Sequence, residues 1–214
     1  VEIYNIVFMQ FNRDIEGNLK PLPKPSVDTG MGLERISAVM QGTPDNYQTD
    51  LFIPLIKKIS ELTGEKDLLN PSLRVIADHL RASCFMISDG IAIGNEGRNY
   101  VLRRIIRRAL RHAYKLNSEN FYVMSKLATY FSDTYKELYP EIEKNNSFIE
   151  KALHEEEEKF GATLNQGMSL LDEEVKKLKG KVISGDLAFR LYDTFGFPLD
   201  MTIDFARENN LNVD

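Results

Sequence analysis

Six arginines crowd the stretch from Arg98 to His112, RNYVLRRIIRRALRH: Arg98, Arg103, Arg104, Arg107, Arg108 and Arg111, with no lysine and no acid among them. In a chain of formal net charge -5 that concentration is local. A guanidinium offers a planar fork that bonds phosphate oxygens in pairs, which an ammonium does not. Leu102, Ile105, Ile106, Ala109 and Leu110 recur at helical spacing and form an inward stripe, so the arginines spread over the remaining faces. The pattern favours a nucleic-acid surface over its alternative, an exposed helix paired with the acidic helix at 141–159.

A second candidate is Val27 to Arg35, VDTGMGLER. Gly30 and Gly32 let backbone approach a ligand closely, Asp28 places a negative charge beside them, and Arg35 falls in the first turns of a following helix. An acid that grips an ammonium and an arginine that grips a phosphate both fit, as does a plain glycine turn. Asn5 is the third. Residues 1, 3, 5, 7, 9 and 11 of a strand share a face, and here one amide interrupts Val, Ile, Val, Met and Phe. It either bonds a neighbouring loop or lines a pocket for a small polar substrate, and spacing alone does not choose.

The elements that must position these residues are mostly helical. Val1–Phe11 is β-branched and aromatic, as in a strand covered on both faces. The proline-spaced LPKPS that follows stays extended and suits central sheet pairing poorly. Helices are expected at 31–41, 51–62, 71–90 (capped by Asn70 with Pro71 in the first turn), 98–116, 118–138 (capped by Ser118), 141–178, 185–192 and 201–209. The fold class is mainly α, with a first unit at 1–45 too small to stand as a domain and a helical domain at 46–214. The acidic run Glu155–Glu158, with lysines nearby, reads as a solvated helix face. The chain's one cysteine, Cys84, excludes an internal disulfide and a cysteine-rich zinc site, and its apolar helical setting makes it an inert buried thiol. No apolar run reaches the length of a membrane span and no signal peptide opens the chain, so a cytoplasmic protein is expected. The start inside a strand-like run, without methionine, reads as a cut.

VDTGMGLER resembles the third signature motif of class II aminoacyl-tRNA synthetases, in the form found in alanyl-tRNA synthetases. VEIYNIVFMQFNRD, LPKPS, RVIADHLRA, NEGRNYVLRRIIRRALRH and RLYDTFGFPLD are similar to that family's blocks, in the family's order and over essentially the whole chain. The resemblance implies that residues 1–45 are the end of the class II antiparallel-sheet catalytic domain and that 46–214 recognise the tRNA acceptor stem. It implies that Asn5, Asp28 and Gly30 bind alanine, Asp28 holding its ammonium, and that Arg35 binds the ATP phosphates. Asn95 and Asp193 would read the G·U wobble pair of tRNA(Ala), with Arg98, Arg103, Arg104, Arg107 and Arg108 along the RNA. ATP with Mg2+ would serve the intact enzyme, and zinc would belong only to an editing domain beyond Asp214. The first two class II motifs would precede Val1, so the chain alone is expected to be inactive. No covalent nucleophile is needed for this chemistry, which rests on positioning and charge neutralisation.

Three departures from the family's pattern bear on the loops. Ile93-Gly94 stands in place of a usual Pro-Ser, Asn99 in place of a usual glycine, and Tyr4 where tryptophan is common. The rival readings are a non-catalytic helical RNA-binding module related to the synthetases, and a helical protein-interaction bundle whose arginines sit in salt bridges.

Overall fold

The computed structural model describes every residue of the chain except Lys179 and Gly196. Its contacts fall into two units, Val1–Pro54 and Leu55–Asp214. In the first, β1 (Tyr4–Arg13) and β2 (Leu19–Met31) pair antiparallel, and α1 (Leu33–Met40) follows. The hairpin reverses at Asp14, whose carboxylate accepts from Asn18 N–H at 2.8 Å. Gly17 supplies the left-handed step there, at φ +90°.

The proline-spaced stretch is extended as expected, but it is a paired strand. Pairing is possible because each strand has a partner on one side only, so a missing N–H can face the open edge. Pro23 and Pro25 also lie where the ladder slips, between the pairs Phe11–Pro21 and Met9–Ser26. The cover expected on both faces of the first strand is not found among the described residues: β1 is exposed along its length, with Ile6, Val7, Phe8 and Phe11 open to solvent. The segment after α1 stays with this unit. Gln41 and Asp50 exchange two hydrogen bonds, of 2.7 and 3.0 Å, and Tyr47 packs on the buried Phe52 at 4.9 Å.

The second unit is built on α2 (Ile53–Thr63), α3 (Pro71–Ser88), α4 (Gly97–Leu116), α5 (Met124–Tyr135), α6 (Pro140–Lys177), α7 (Gly185–Phe195) and α8 (Leu199–Glu208). Short strands β3 (Val182–Ile183) and β4 (Asn212–Val213) pair in parallel near its end. Asn70 caps α3 as expected, its side chain accepting from Ser72 N–H at 2.9 Å. Leu73, Ile76 and Leu80 of α3, Leu102 and Ile106 of α4, and Phe160 and Leu164 of α6 are fully buried. Cys84 lies among them, and burial pushes its thiol far above the usual range, as an inert core residue requires. No helix among the described residues is long and apolar enough to cross a membrane.

Two sequence expectations fail here for one reason. Residues 118–123 are not helical and Ser118 caps nothing. Asn117 accepts from Glu119 and Asn120 N–H (both 3.1 Å) to make a turn, and α5 starts only at Met124. Its cap comes from α6: Glu157 accepts from Met124 N–H at 2.6 Å and from Ser125 Oγ at 2.6 Å. The acidic run is therefore not a solvated face. Glu155 and Glu158 are exposed, but Glu156 and Glu157 are buried at 2% and 0% exposure. Local rules look for a cap next to the helix, and this one arrives from a distant element.

Close approach around α6 depends on two glycines. A methyl group at Gly167 would collide with the Phe197 ring, and one at Gly161 with the Tyr122 hydroxyl. Phe197 is fully buried and its N–H bonds Leu191 O at 2.9 Å. That anchor ties the end of α7 to the start of α8.

Candidate functional site

On the hairpin, Asn5 stands opposite Gly30 and Val7 opposite Asp28. Directly paired residues project to the same side of a sheet, and so do residues two apart on one strand. Asn5, Asp28 and Gly30 therefore share one face. The amide of Asn5 lies over Gly30, where an added methyl would come within 2.9 Å of Asn5 Oδ1. Only glycine leaves that space. Asn5 bonds no loop backbone; its Nδ2 donates to the Glu2 carboxylate at 2.9 Å. Asp28 is exposed and accepts from its neighbour Thr29 N–H at 2.9 Å, so it points a negative charge out of the same face. Arg35, in the first turn of α1, folds over Gly32 and donates to Glu2 O at 2.6 Å. The arrangement is a small, glycine-floored patch carrying one amide and one carboxylate, with a guanidinium fixed on the adjoining helix.

The second candidate surface is α4. At about 100° per residue, Arg103, Arg107, Arg111, Arg104, Lys115 and Arg108 fan in that order across one broad arc. One acid of α6 and a row of three on α8 meet it from two sides. Along the inner edge, Glu156 of α6 accepts from Arg107 Nε at 2.7 Å and lies 3.3 Å from Arg103 Nε. The Arg107 guanidinium also stacks on the Phe160 ring at 4.6 Å. Along the outer edge, α8 supplies Asp200, Asp204 and Glu208 at four-residue steps. They meet Arg104 (2.5 Å), Arg108 (3.6 Å) and Arg111 (2.6 Å), with Lys115 also on Glu208 at 3.0 Å.

Exposure sorts the arginines. The side chains of Arg103 and Arg107 are 18% and 19% exposed, against 59% and 46% for Arg104 and Arg108. Arg98, in the first turn of α4, is exposed. The inner pair is held inside the bundle, while the outer residues keep guanidinium edges in solvent. The sequence expected the acidic helix at 141–159 as the alternative partner for these arginines, and α6 does supply Glu156. The α8 acids were not foreseen, although acids at i, i+4 and i+8 facing arginines at i and i+4 carried the signal.

Glu208 sits between these charges. Burial pushes its carboxyl up, but hydrogen bonds and charge from Arg111 and Lys115 outweigh that and hold it at about 2. His112, beneath the same cluster, has its Nδ1 3.0 Å from Ser72 Oγ. Burial first, then the Arg111 charge, pull it down to about 4, so it is neutral near pH 7.

Asn95 lies in the exposed loop before α4, and Arg103 Nη1 donates to its Oδ1. The Asn95 side chain is thereby tied to the second turn of α4. Asp193 does not lie in a loop: α7 continues through it to Phe195, and its side chain is exposed. It precedes the connection leading to Asp200, the partner of Arg104.

Gly94 and Asn99 explain each other. Gly94 N–H donates to Asn99 O at 3.2 Å, and a methyl on Gly94 would come within 2.8 Å of Asn99 Cβ. Bare backbone at 94 makes room for the side chain at 99. Gly94→Ser alone is accordingly expected to cost about 1–3 kcal/mol by overpacking. Gly94→Ser combined with Asn99→Gly restores most of it. Urea unfolding of the parent chain and both variants measures this, and equal losses in the single and double variants contradict it.

The family model for class II (A) tRNA synthetases matches residues 1–214, the whole chain. The chain belongs to this family. It is 58% identical to an alanine–tRNA ligase of Hydrogenovibrio crunogenus, 54% to one of Psychromonas ingrahamii and 52% to one of Idiomarina loihiensis, in each case over all of this chain. It spans 25% of the length of those curated relatives. VDTGMGLER spans the end of β2 and the start of α1, and NEGRNYVLRRIIRRALRH spans the loop before α4 and most of that helix.

Proposed function

We propose that this chain is the part of an alanine–tRNA ligase that completes the alanine and ATP sites and grips the tRNA(Ala) acceptor stem, working in the cytoplasm. Asp28 holds the alanine ammonium, Asn5 and the bare surface of Gly30 shape a pocket too small for larger side chains, and Arg35 reaches the ATP phosphates. The open backbone edges of the hairpin suit further strands of a class II sheet, and its exposed apolar faces suit elements that cover such a sheet. Asn95 and Asp193 read the G·U pair. Mg2+ accompanies ATP in the whole enzyme. Zinc is assigned to an editing domain of the whole enzyme.

The observation that carries the RNA reading is the division of α4. Glu156 fixes Arg103 and Arg107 from within, while Arg98, Arg104 and Arg108 keep guanidinium groups at the surface for phosphate. The alternative, a protein-interaction bundle, draws on the acidic partners found along α4.

Titrating tRNA binding to the full-length protein across salt separates the two. Each phosphate contact contributes roughly 0.7–0.9 to the log–log salt slope. Arg104→Ala and Arg108→Ala are each expected to flatten the slope by about one contact's share, and binding independent of salt defeats the RNA reading. The 214-residue chain by itself is expected to show no alanine-dependent ATP–pyrophosphate exchange. Exchange above background, in a preparation free of host synthetase, would show a complete site within these residues.

A further inference from the structure

We propose that Glu156 is a positioning residue for wobble-pair recognition, acting through Arg103 on the side chain of Asn95; this rests on the reading of Asn95 given above. Glu156 is buried, and a single oxygen of its carboxylate, Oε1, meets both Arg107 Nε at 2.7 Å and Arg103 Nε at 3.3 Å. Arg103 is shared: its Nε makes no hydrogen bond but lies within ion-pair distance of the Glu156 carboxylate, and its Nη1 donates to Asn95 Oδ1. A guanidinium has donors only. The amide of Asn95 must therefore turn its oxygen to Arg103, which leaves the two N–H donors of Nδ2 to face outward.

The orientation of an otherwise exposed loop amide is thus fixed from inside the bundle. Arginine is long and rotamer-rich. Without Glu156 behind it, Arg103 swings toward the nearest anion, which on bound RNA is a phosphate, and Asn95 loses the contact that orients it. Arg107 has no such role toward Asn95. Its guanidinium is held by Glu156 and by Phe160, so it braces the carboxylate.

The experiment uses the full-length enzyme and compares aminoacylation of G·U and G·C tRNAs for Glu156→Gln, Arg103→Lys and Asn95→Ala, singly and with the first two each combined with the third. Lysine at 103 keeps a charge for Glu156 but cannot fork to two partners. Glu156→Gln and Arg103→Lys are each expected to lower the G·U preference in kcat/KM by about tenfold. Alanine-dependent pyrophosphate exchange stays unchanged, and neither variant has any further effect once Asn95 is alanine. If Asn95→Ala keeps full preference, the reading of Asn95 falls and this proposal with it. If Asn95→Ala loses preference while Glu156→Gln and Arg103→Lys keep it, or if their losses add in full to that of Asn95→Ala, the relay is overturned and the reading stands. Should Glu156→Gln lose pyrophosphate exchange as well, its fold is damaged and Arg103→Lys decides alone.

Discussion

Asn95→Ala or Asp193→Ala in the intact synthetase is expected to cut aminoacylation of G·U-bearing tRNA by tenfold to over a hundredfold, with adenylate formation nearly unchanged. An A-form minor groove is wide and shallow, so short side chains reach base edges there. A wobble pair leaves the guanine amino group without its Watson–Crick partner. Asp193, exposed on the last turn of α7, offers acceptors only, which suits that amino group. Asn95, its oxygen held by Arg103, offers donors, which suit an acceptor on the same edge. A contact of this kind is worth about 1–3 kcal/mol of discrimination, which sets the expected range. Both half-reactions are measured, with G·U and G·C tRNAs. Equal losses in the two half-reactions, or an undiminished G·U preference in both variants, reject the assignment.

The second large effect concerns stability. Glu157→Ala removes the acceptor for Met124 N–H, Ser125 N–H and Ser125 Oγ at the start of α5, and it leaves buried donors without partners. At about 1–3 kcal/mol for such a group, a loss of about 3 kcal/mol is expected, or a fall in Tm of roughly 6–12 °C for a chain of this size. Burial holds the Glu157 carboxyl above its ordinary value, although its hydrogen bonds oppose that. As pH rises past the unfolded value the unfolded chain loses this proton first, so stability declines until the folded group also ionises. Glu157→Gln keeps an acceptor for Met124 N–H and cannot ionise. It is expected to cost less than alanine and to remove that decline with rising pH. Thermal unfolding from pH 4 to pH 8 tests both points, and a Glu157→Ala variant that melts with the parent chain contradicts the capping role.

Periodicity and breakers were enough to place most elements. The apolar rows of α3, α4 and α6, the Asn70-Pro71 start and the break at Gly90 are local signals, set by neighbours within one or two turns of helix. Glycine at 30 could likewise be read as a close approach, and the hairpin supplies the reason in the amide of Asn5. The family assignment was carried by contiguous blocks, which survive in a chain that spans a quarter of its relatives' length.

What the sequence could not show is which charges face each other. The run of six arginines looked uniform. Only packing between α6 and α8 divided it into an inner pair on Glu156 and outer residues beside Asp200 and Asp204. The four glutamates of 155–158 looked equally uniform, and two of them proved to be buried. Charge and propensity are properties of one segment, whereas burial and partnership depend on elements brought together from far along the chain. Glu157 capping α5, Glu156 behind Arg103 and Gly94 making room for Asn99 all belong to that second kind. They arise from side chains meeting in space, which no local spacing rule records.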